Sequence, residues 1–470
     1  MLGQDRIFVK NKCDIPKFVQ DSGGSRITKR AASIDKGIEK ETPEYRTIRA
    51  QLRLSDHWEV VSKEVETYLP EYDDDHPDAP DRASDDPESW KTEVLGKASI
   101  HIRMRRDRFY RCPHCGCMCH AHEYVDREYD HIPDMGYDVK LFVNLPKLHC
   151  TNCKKYPQVR FPLARPKVSY TKEFEKSVLR LLCKNTTSAT AEMMHTGPWI
   201  VSDILDYRIK HALPEQDLSH VTVLFVDETQ RRKGHEYMTV FSDNNHDVIY
   251  ITEGKGIDAM ERFCDYLRIQ GGDPDNIWVV SADMSSTYES GVERYFRNAT
   301  LVWDRFHLVQ AINNTLNDIR KRVLKRRNGE RLRNVKYTVL KRPENMSEYD
   351  NEKLTDIRLS NPELALAYDM KEEFCEVLEC ADMYEAQEAF EESYAWVTIQ
   401  GCQEMRERAD RFKLKIDRIL AWFDHRVNNG VAEGINSKIQ KTKDAAYGYP
   451  NLDHFASMCM FRFGNLVIAF

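Results

Sequence analysis

Two C-x-x-C turns constrain this chain more tightly than any other feature. Cys112-Pro-His-Cys115 and Cys150-Thr-Asn-Cys153 stand with 34 residues between Cys115 and Cys150. A C-x-x-C turn aims two thiolates at one point, and two such turns complete a tetrahedral zinc site. The intervening residues must then run out and back, so the spacing predicts an extended hairpin carrying a small zinc ribbon. Gly116, directly after the first pair, suits a tight knuckle. Cys117, Cys119, His120 and His149 compete as ligands, and buried cysteines without metal are the alternative. Thirteen cysteines behind a start that lacks a signal-peptide core read as reduced thiols or metal ligands, not as a disulfide framework.

Around the ribbon the hydrophobic period changes twice. "HWEVVSKEVETYL" and "KASIHIRMRRDRFYRC" read as strands of a small β unit. Between them "EYDDDHPDAPDRASDDPES" (71–89) is acidic, carries three prolines and reads as a disordered loop. From 171 the pattern is helical in three segments, the third opening with Pro198 at a first helical position. Three such helices suit a helix-turn-helix, whose last helix enters the major groove. Ser202, Tyr207, Arg208 and Lys210 are its candidate DNA contacts, and a plain three-helix packing module is the alternative. From 221 short apolar runs give three strands in succession, then helix, strand, helix and strand. After His307 nearly everything reads as helix.

The chemistry-bearing residues are carboxylates. Asp227 and Asp283 each end an apolar strand, where a side chain projects from a rigid platform; turn or cap duty is the bland alternative. Far downstream, "DHRVNNGVAEGINSKIQKTKDAAYGYPN" carries Glu433 with Asn429 and Asn436 on one helical face. Three carboxylates drawn together repel one another unless a divalent cation sits among them. Oxygen ligands favour Mg²⁺ or Mn²⁺. The net charge is −7, yet residues 320–342 hold eleven Lys or Arg against Glu330. That run, with Lys325, Arg326 and Arg327 at its centre, is expected to meet phosphates, as is Lys438. No apolar run is long enough to span a membrane. Trp396 and Trp422 are read as core anchors, and the acidic stretch after residue 370 as a packing or dimerisation surface.

The series "VDETQRRKGHEYMTV", "SADMSSTY", "WDRFHLVQAIN" and "NNGVAEGINSKIQKTKDAAYGY", behind "CPHCG…CTNC", closely resembles the ISL-three family of bacterial insertion-sequence DDE transposases. The similarity runs from about residue 55 to the end, in the family's order. The resemblance implies a multidomain α+β chain: zinc ribbon and helix-turn-helix, then a ribonuclease-H-like α/β core interrupted by a large helical insertion. By the same resemblance the DDE acids are Asp227, Asp283 and Glu433. Asp304 and His307 in "WDRFHL" have auxiliary roles, orienting the metal site or binding the scissile strand, with a helix cap as the alternative for Asp304. Asn429 and Asn436 flank Glu433 to orient groups or contact DNA. Two departures stand out: Asn428, where the family often has threonine, and Asp444, where it has a basic residue.

The expected division is 1–100, a β unit with the acidic loop; 101–168, zinc ribbon; 169–215, helix-turn-helix; 216–308 and 426–470, the two parts of the core; and 309–425, the insertion. The expected function is a DNA transposase, cytoplasmic and nucleoid-associated, that binds terminal inverted repeats and target DNA as a homo-oligomer. It would carry Mg²⁺ or Mn²⁺ at the triad and Zn²⁺ in the ribbon. A DNA-binding regulator derived from a transposase, or a structure-selective nuclease of the same fold, are the rival readings.

Overall fold

The computed structural model describes residues 42–68, 94–106, 109–134, 136–230, 237–326, 335–426, 430–449 and 451–470, without the side chains of 230, 326 and 430–433. The acidic loop 71–89, Arg327 and Asn429 therefore lie outside the described residues. The chain divides into two compact units, 1–208 with 468–470, and 209–467.

The first unit is built on a five-stranded mixed sheet. Helix α1 (Pro43–Gln51) precedes β1 (Trp58–Thr67), β2 (Gly96–Met104), β3 (Tyr110–Arg111), β4 (Met118–Asp130) and β5 (Tyr137–His149). The order across the sheet is β1-β2-β5-β4-β3, with β2 and β5 parallel and the other neighbours antiparallel. The register sets Ala98 beside Val139, Ile100 beside Leu141 and Ile102 beside Val143. These are the buried alternate positions of both strands, so one face closes a core with Trp58 and Phe161. Strands β4 and β5, 13 residues each, are the extended hairpin that the cysteine spacing predicts.

Three helices follow: α2 (Lys172–Leu182), α3 (Thr187–Met193) and α4 (Pro198–Ala212). Each of the first two starts at a threonine whose hydroxyl accepts an N–H of the first turn, Thr171 from Phe174 and Thr186 from Ala189, both at 3.2 Å. Pro198 opens α4 as the sequence predicts.

The second unit holds β6 (Val223–Gln230), β7 (Tyr237–Ser242), β8 (Val248–Glu253), α5 (Ile257–Ile269), β9 (Val279–Ala282), α6 (Ser286–Tyr295) and β10 (Thr300–Trp303). The element order matches the sequence reading. The sheet order is β10-β9-β6-β7-β8: the first three strands in sequence pair antiparallel, and β9 and β10 add on parallel to β6. Strand β9 is buried along its whole length, as expected of a parallel strand covered on both faces.

Then come α7 (Arg305–Arg326), α8 (Lys336–Leu340), α9 (Glu348–Ser360), α10 (Pro362–Val377), α11 (Met383–Gln400), α12 (Gln403–Lys413), α13 (Ile416–His425), α14 (Gly430–Ala445) and α15 (Leu452–Phe463). Leu316, Ile319 and Val323 of α7 share a core with Leu364, Tyr368 and Val397, against which Trp396 packs. Trp422 packs on a smaller cluster with Phe225 and Val302. Both tryptophans are therefore anchors, as read from sequence.

Two expected boundaries need correction. The division at 100/101 cuts β2, because the β unit and the ribbon share one sheet. The division at 308/309 cuts α7, which runs unbroken for 22 residues from the sheet edge into the insertion.

Candidate metal centres and nucleic-acid interface

The hairpin brings the two C-x-x-C turns together. The sulfur atoms of Cys112, Cys115, Cys150 and Cys153 all lie within 4.8 Å of one another. Cys112 and Cys153 are 3.8 Å apart, and Cys115 and Cys150 are 3.5 Å apart. A tetrahedron with zinc–sulfur bonds of about 2.3 Å has edges of roughly 3.8 Å, so the quartet fits that ion. Gly116 takes φ +72°, the left-handed turn a knuckle needs, and its N–H donates to the Cys112 carbonyl at 2.9 Å. Of the competitors, Cys117 and Cys119 pack around the quartet without joining it. Cys119 is buried, its thiol pushed up to about 12 by burial, and its sulfur donates to the Cys117 carbonyl at 3.4 Å. His149 stacks on Tyr156 at 4.8 Å, and His120 lies against Phe109 at 4.5 Å.

The second centre follows from strand register. Phe225, Ser281 and Val302 are neighbours across β6, β9 and β10. Two residues beyond each stands an aspartate: Asp227, Asp283 and Asp304. The same offset on three parallel strands sets three carboxylates in a row at one sheet edge. Asp283 and Asp304 directly follow β9 and β10. Asp227 does not end its strand as the sequence reading has it: β6 continues to Gln230 along β7, and what stops near Asp227 is the pairing with β9.

His307, in the first turn of α7, stands among the three acids. Its Nδ1 is 3.6 Å from Asp283, and its Nε2 is 4.0 Å from Asp227 and 3.9 Å from Asp304. Asp304 is buried and also caps α7, accepting the Phe306 N–H at 2.9 Å. The cap offered as the alternative for Asp304 is thus present, and its carboxylate also lies beside His307. From α14, the Asn436 amide donates to the far oxygen of Asp227. Glu433 stands three residues before Asn436 in that helix. Burial, opposed by the nearby His307, and reinforced by Asp304 and Asp283, pushes Asp227 up to about 6. Three carboxylates set side by side, with oxygen donors on several elements, fit a hard divalent cation.

Near the helix-turn-helix, His195 occupies the turn between α3 and α4 with φ +48° and bonds Asp138 of β5 at 2.6 Å. Arg208, expected at DNA, is instead buried: it donates to Glu175 of α2 at 2.7 Å and to the Ala469 carbonyl. A guanidinium spent on a buried carboxylate is not offered to base edges. Ser202 is half-buried and Lys210 exposed.

Residues 224–459 match the DDE transposase family of the ISL3 group, described as "Transposase", and residues 159–209 match the "Helix-turn-helix domain of transposase family ISL3". The chain belongs to the ISL3 family of transposases. It is similar to the transposase for insertion sequence element IS1001 of Bordetella parapertussis, 25% identical over 78% of this chain and 91% of that one. It is also similar to the transposase for insertion sequence element IS1557 of Mycobacterium tuberculosis, 22% identical over 76% of this chain and 87% of that one. Among the described residues of this transposase no helix is long and apolar enough to cross a membrane.

The basic run of the transposase is less available than its composition suggests. Arg322 pairs with Glu363 at 2.6 Å and Glu404 at 2.5 Å, Lys341 with Asp350 at 2.6 Å, and Arg342 with Glu379 at 2.9 Å. Lys325 is exposed, as is Lys438 on α14. The Arg326 side chain is outside the described set. Asp304, read from sequence as auxiliary, stands in the same row as Asp227 and Asp283, a placement foreshadowed by its closing an apolar run as Asp283 does.

Proposed function

We propose that this insertion-sequence transposase cuts and joins DNA strands at the ends of its own element, using Asp227, Asp283 and Glu433 as the metal-holding acids. The observation that carries the reading is the row of Asp227, Asp283 and Asp304 set by the register of β6, β9 and β10, with Asp227 bonded by Asn436 from the helix that also contains Glu433. The sheet order, three antiparallel strands with two parallel additions on the first, supports a ribonuclease-H-like core.

In this reading Asp227 and Asp283 bind Mg²⁺ or Mn²⁺, with Glu433 as third acid. When bound, the ions supply Lewis-acid stabilisation of charge on the reacting phosphate oxygens. Asn436 fixes the orientation of Asp227, and Asp304 holds the first turn of α7 so that His307 stays among the carboxylates. Cys112, Cys115, Cys150 and Cys153 hold Zn²⁺, which lets a sheet edge with few core residues keep its shape. The ribbon and α2–α4 recognise the terminal inverted repeats, through Ser202 and Lys210 among others, while Lys325, Arg326, Arg327 and Lys438 contact phosphates. Assembly on DNA as a homo-oligomer belongs to the same reading.

The test is Mg²⁺-dependent nicking of a duplex bearing the inverted repeats that flank the coding sequence. Asp227→Asn, Asp283→Asn and Glu433→Gln should each abolish nicking while keeping end binding and the fold. Near wild-type cutting by any of the three overturns the assignment of that acid.

A further inference from the structure

Helix α14 ends in a turn with an unusual occupant. The Gly448 N–H donates to the Lys443 carbonyl at 2.9 Å, and the Tyr447 N–H to that of Asp444 at 3.0 Å. This bond pair defines a Schellman turn, whose first residue past the cap takes left-handed backbone and is ordinarily glycine. Here that residue is Tyr447, at φ +53°, a conformation that a bulky side chain adopts at a cost. Its ring contributes nothing to packing, being fully exposed at 101%. Tyr449 does the anchoring instead, buried and stacked on Phe455 at 4.7 Å. Lys438 and Lys441 are exposed on the same helix, and Asp444 accepts a bond from Gln440 at 2.8 Å.

A strained, solvent-facing aromatic just past the end of the helix that reaches Asp227 and carries two exposed lysines has the composition of a nucleic-acid stacking platform. We propose that Tyr447 stacks on a DNA base unpaired near the strand held at the carboxylates, with Lys438 and Lys441 on adjacent phosphates. From Asn436 to the helix end at Ala445 is about 14 Å of rise, and Tyr447 follows two residues later, so the span is on the order of 16 Å. At 3.4 Å per nucleotide along a strand, the contacted base lies within roughly five nucleotides of the scissile bond. The inference rests on the DNA-cleavage reading above.

The test is a protein–DNA cycle on the full chain. Tyr447→Ala is paired with end duplexes that each lack one base within eight nucleotides of the cleavage site. Tyr447→Ala should weaken binding or nicking roughly tenfold to a hundredfold, the range of one base–aromatic stack. Base removal at one position should matter in the wild type and not in the variant. Tyr447→Phe should retain function. Tyr447→Gly should lose the DNA effect while melting higher, because glycine relieves the backbone. A lower melting temperature for Tyr447→Gly assigns the ring to the fold and overturns the proposal. So does a change in self-association without a DNA effect, or the absence of any coupled base. If the wild type nicks and Tyr447→Ala is indistinguishable from it, this inference alone falls. A wild type that never nicks takes the parent reading down first, and this one with it.

Discussion

Glu175 is the most consequential single carboxylate of the N-terminal unit. It lies wholly inside, on α2, with Arg165 donating to one oxygen at 2.6 Å and Arg208 of α4 to the other at 2.7 Å. Both guanidiniums are nearly buried, with side-chain exposures of 11% and 8%. Glu175→Ala removes the shared anion: Arg165 keeps Asp203 at 2.7 Å, while Arg208 is left out of water with only the Ala469 carbonyl among the described residues as acceptor. Breaking a buried pair by deleting one partner costs about 3–5 kcal/mol, a large part of a typical domain's whole stability. At roughly 2–4 °C per kcal/mol for a unit of this size, its melting transition should fall by on the order of 10 °C. Arg208→Ala should cost less, since Arg165 still pairs with Glu175. Replacing Glu175 and both arginines together with apolar residues should recover much of the loss. The assay is calorimetry of the full chain with end-DNA binding measured alongside. The reasoning is refuted if Glu175→Ala melts within 2 °C of wild type, or if Arg208→Ala leaves melting unchanged but alters which DNA sequence is selected.

Three further outcomes are expected. One zinc per chain should be found by elemental analysis, with cobalt substitution giving thiolate-type visible bands; Cys150→Ser should lose both, and full zinc content in that variant refutes the quartet. In salt titrations of DNA binding, Lys325→Gln should reduce the log–log slope by about 0.9, whereas Arg322→Gln should lower stability and leave the slope alone, because its charge is taken by Glu363 and Glu404. His131 is half-buried and bonded to Thr171 at 2.8 Å, and its removal from water holds its imidazole below the usual value near 6.5. The unfolded chain therefore binds the extra proton first, so this stabilisation is present above about pH 6.5 and is lost as pH falls through that range. His131→Asn should flatten the decline of melting temperature between about pH 7 and 5, and an unchanged profile would remove His131 from the account.

What was legible in the chain was what local chemistry dictates. The C-x-x-C spacing implied its hairpin because thiolates that share an ion must converge. The strand and helix order of the second unit followed from hydrophobic period, and Pro198 marked the start of α4. Features set by distant partners were not legible. Arg208 looked like a DNA contact because Glu175, which buries it, lies 33 residues earlier in the chain. The basic run looked like free charge because Glu363, Glu379 and Glu404 come later. The alignment of Asp227, Asp283 and Asp304 depends on which strands pair and in what register, and a one-residue slip would have turned any of them to the other face. Helical period alone also made Ser202 and Arg208 appear equivalent, though only one of them is buried.

The unbroken course of α7 has a mechanical consequence. Its 22 residues make a rod about 33 Å long, with His307 near one end and Lys325 near the other. No break interrupts it, so a rigid-body tilt of the helical insertion would carry straight through to the carboxylate site. A tilt of about 5° displaces one end relative to the other by roughly 3 Å over that length. If DNA grips Lys325 as proposed, a rigid tilt of this helix would shift His307 among the aspartates.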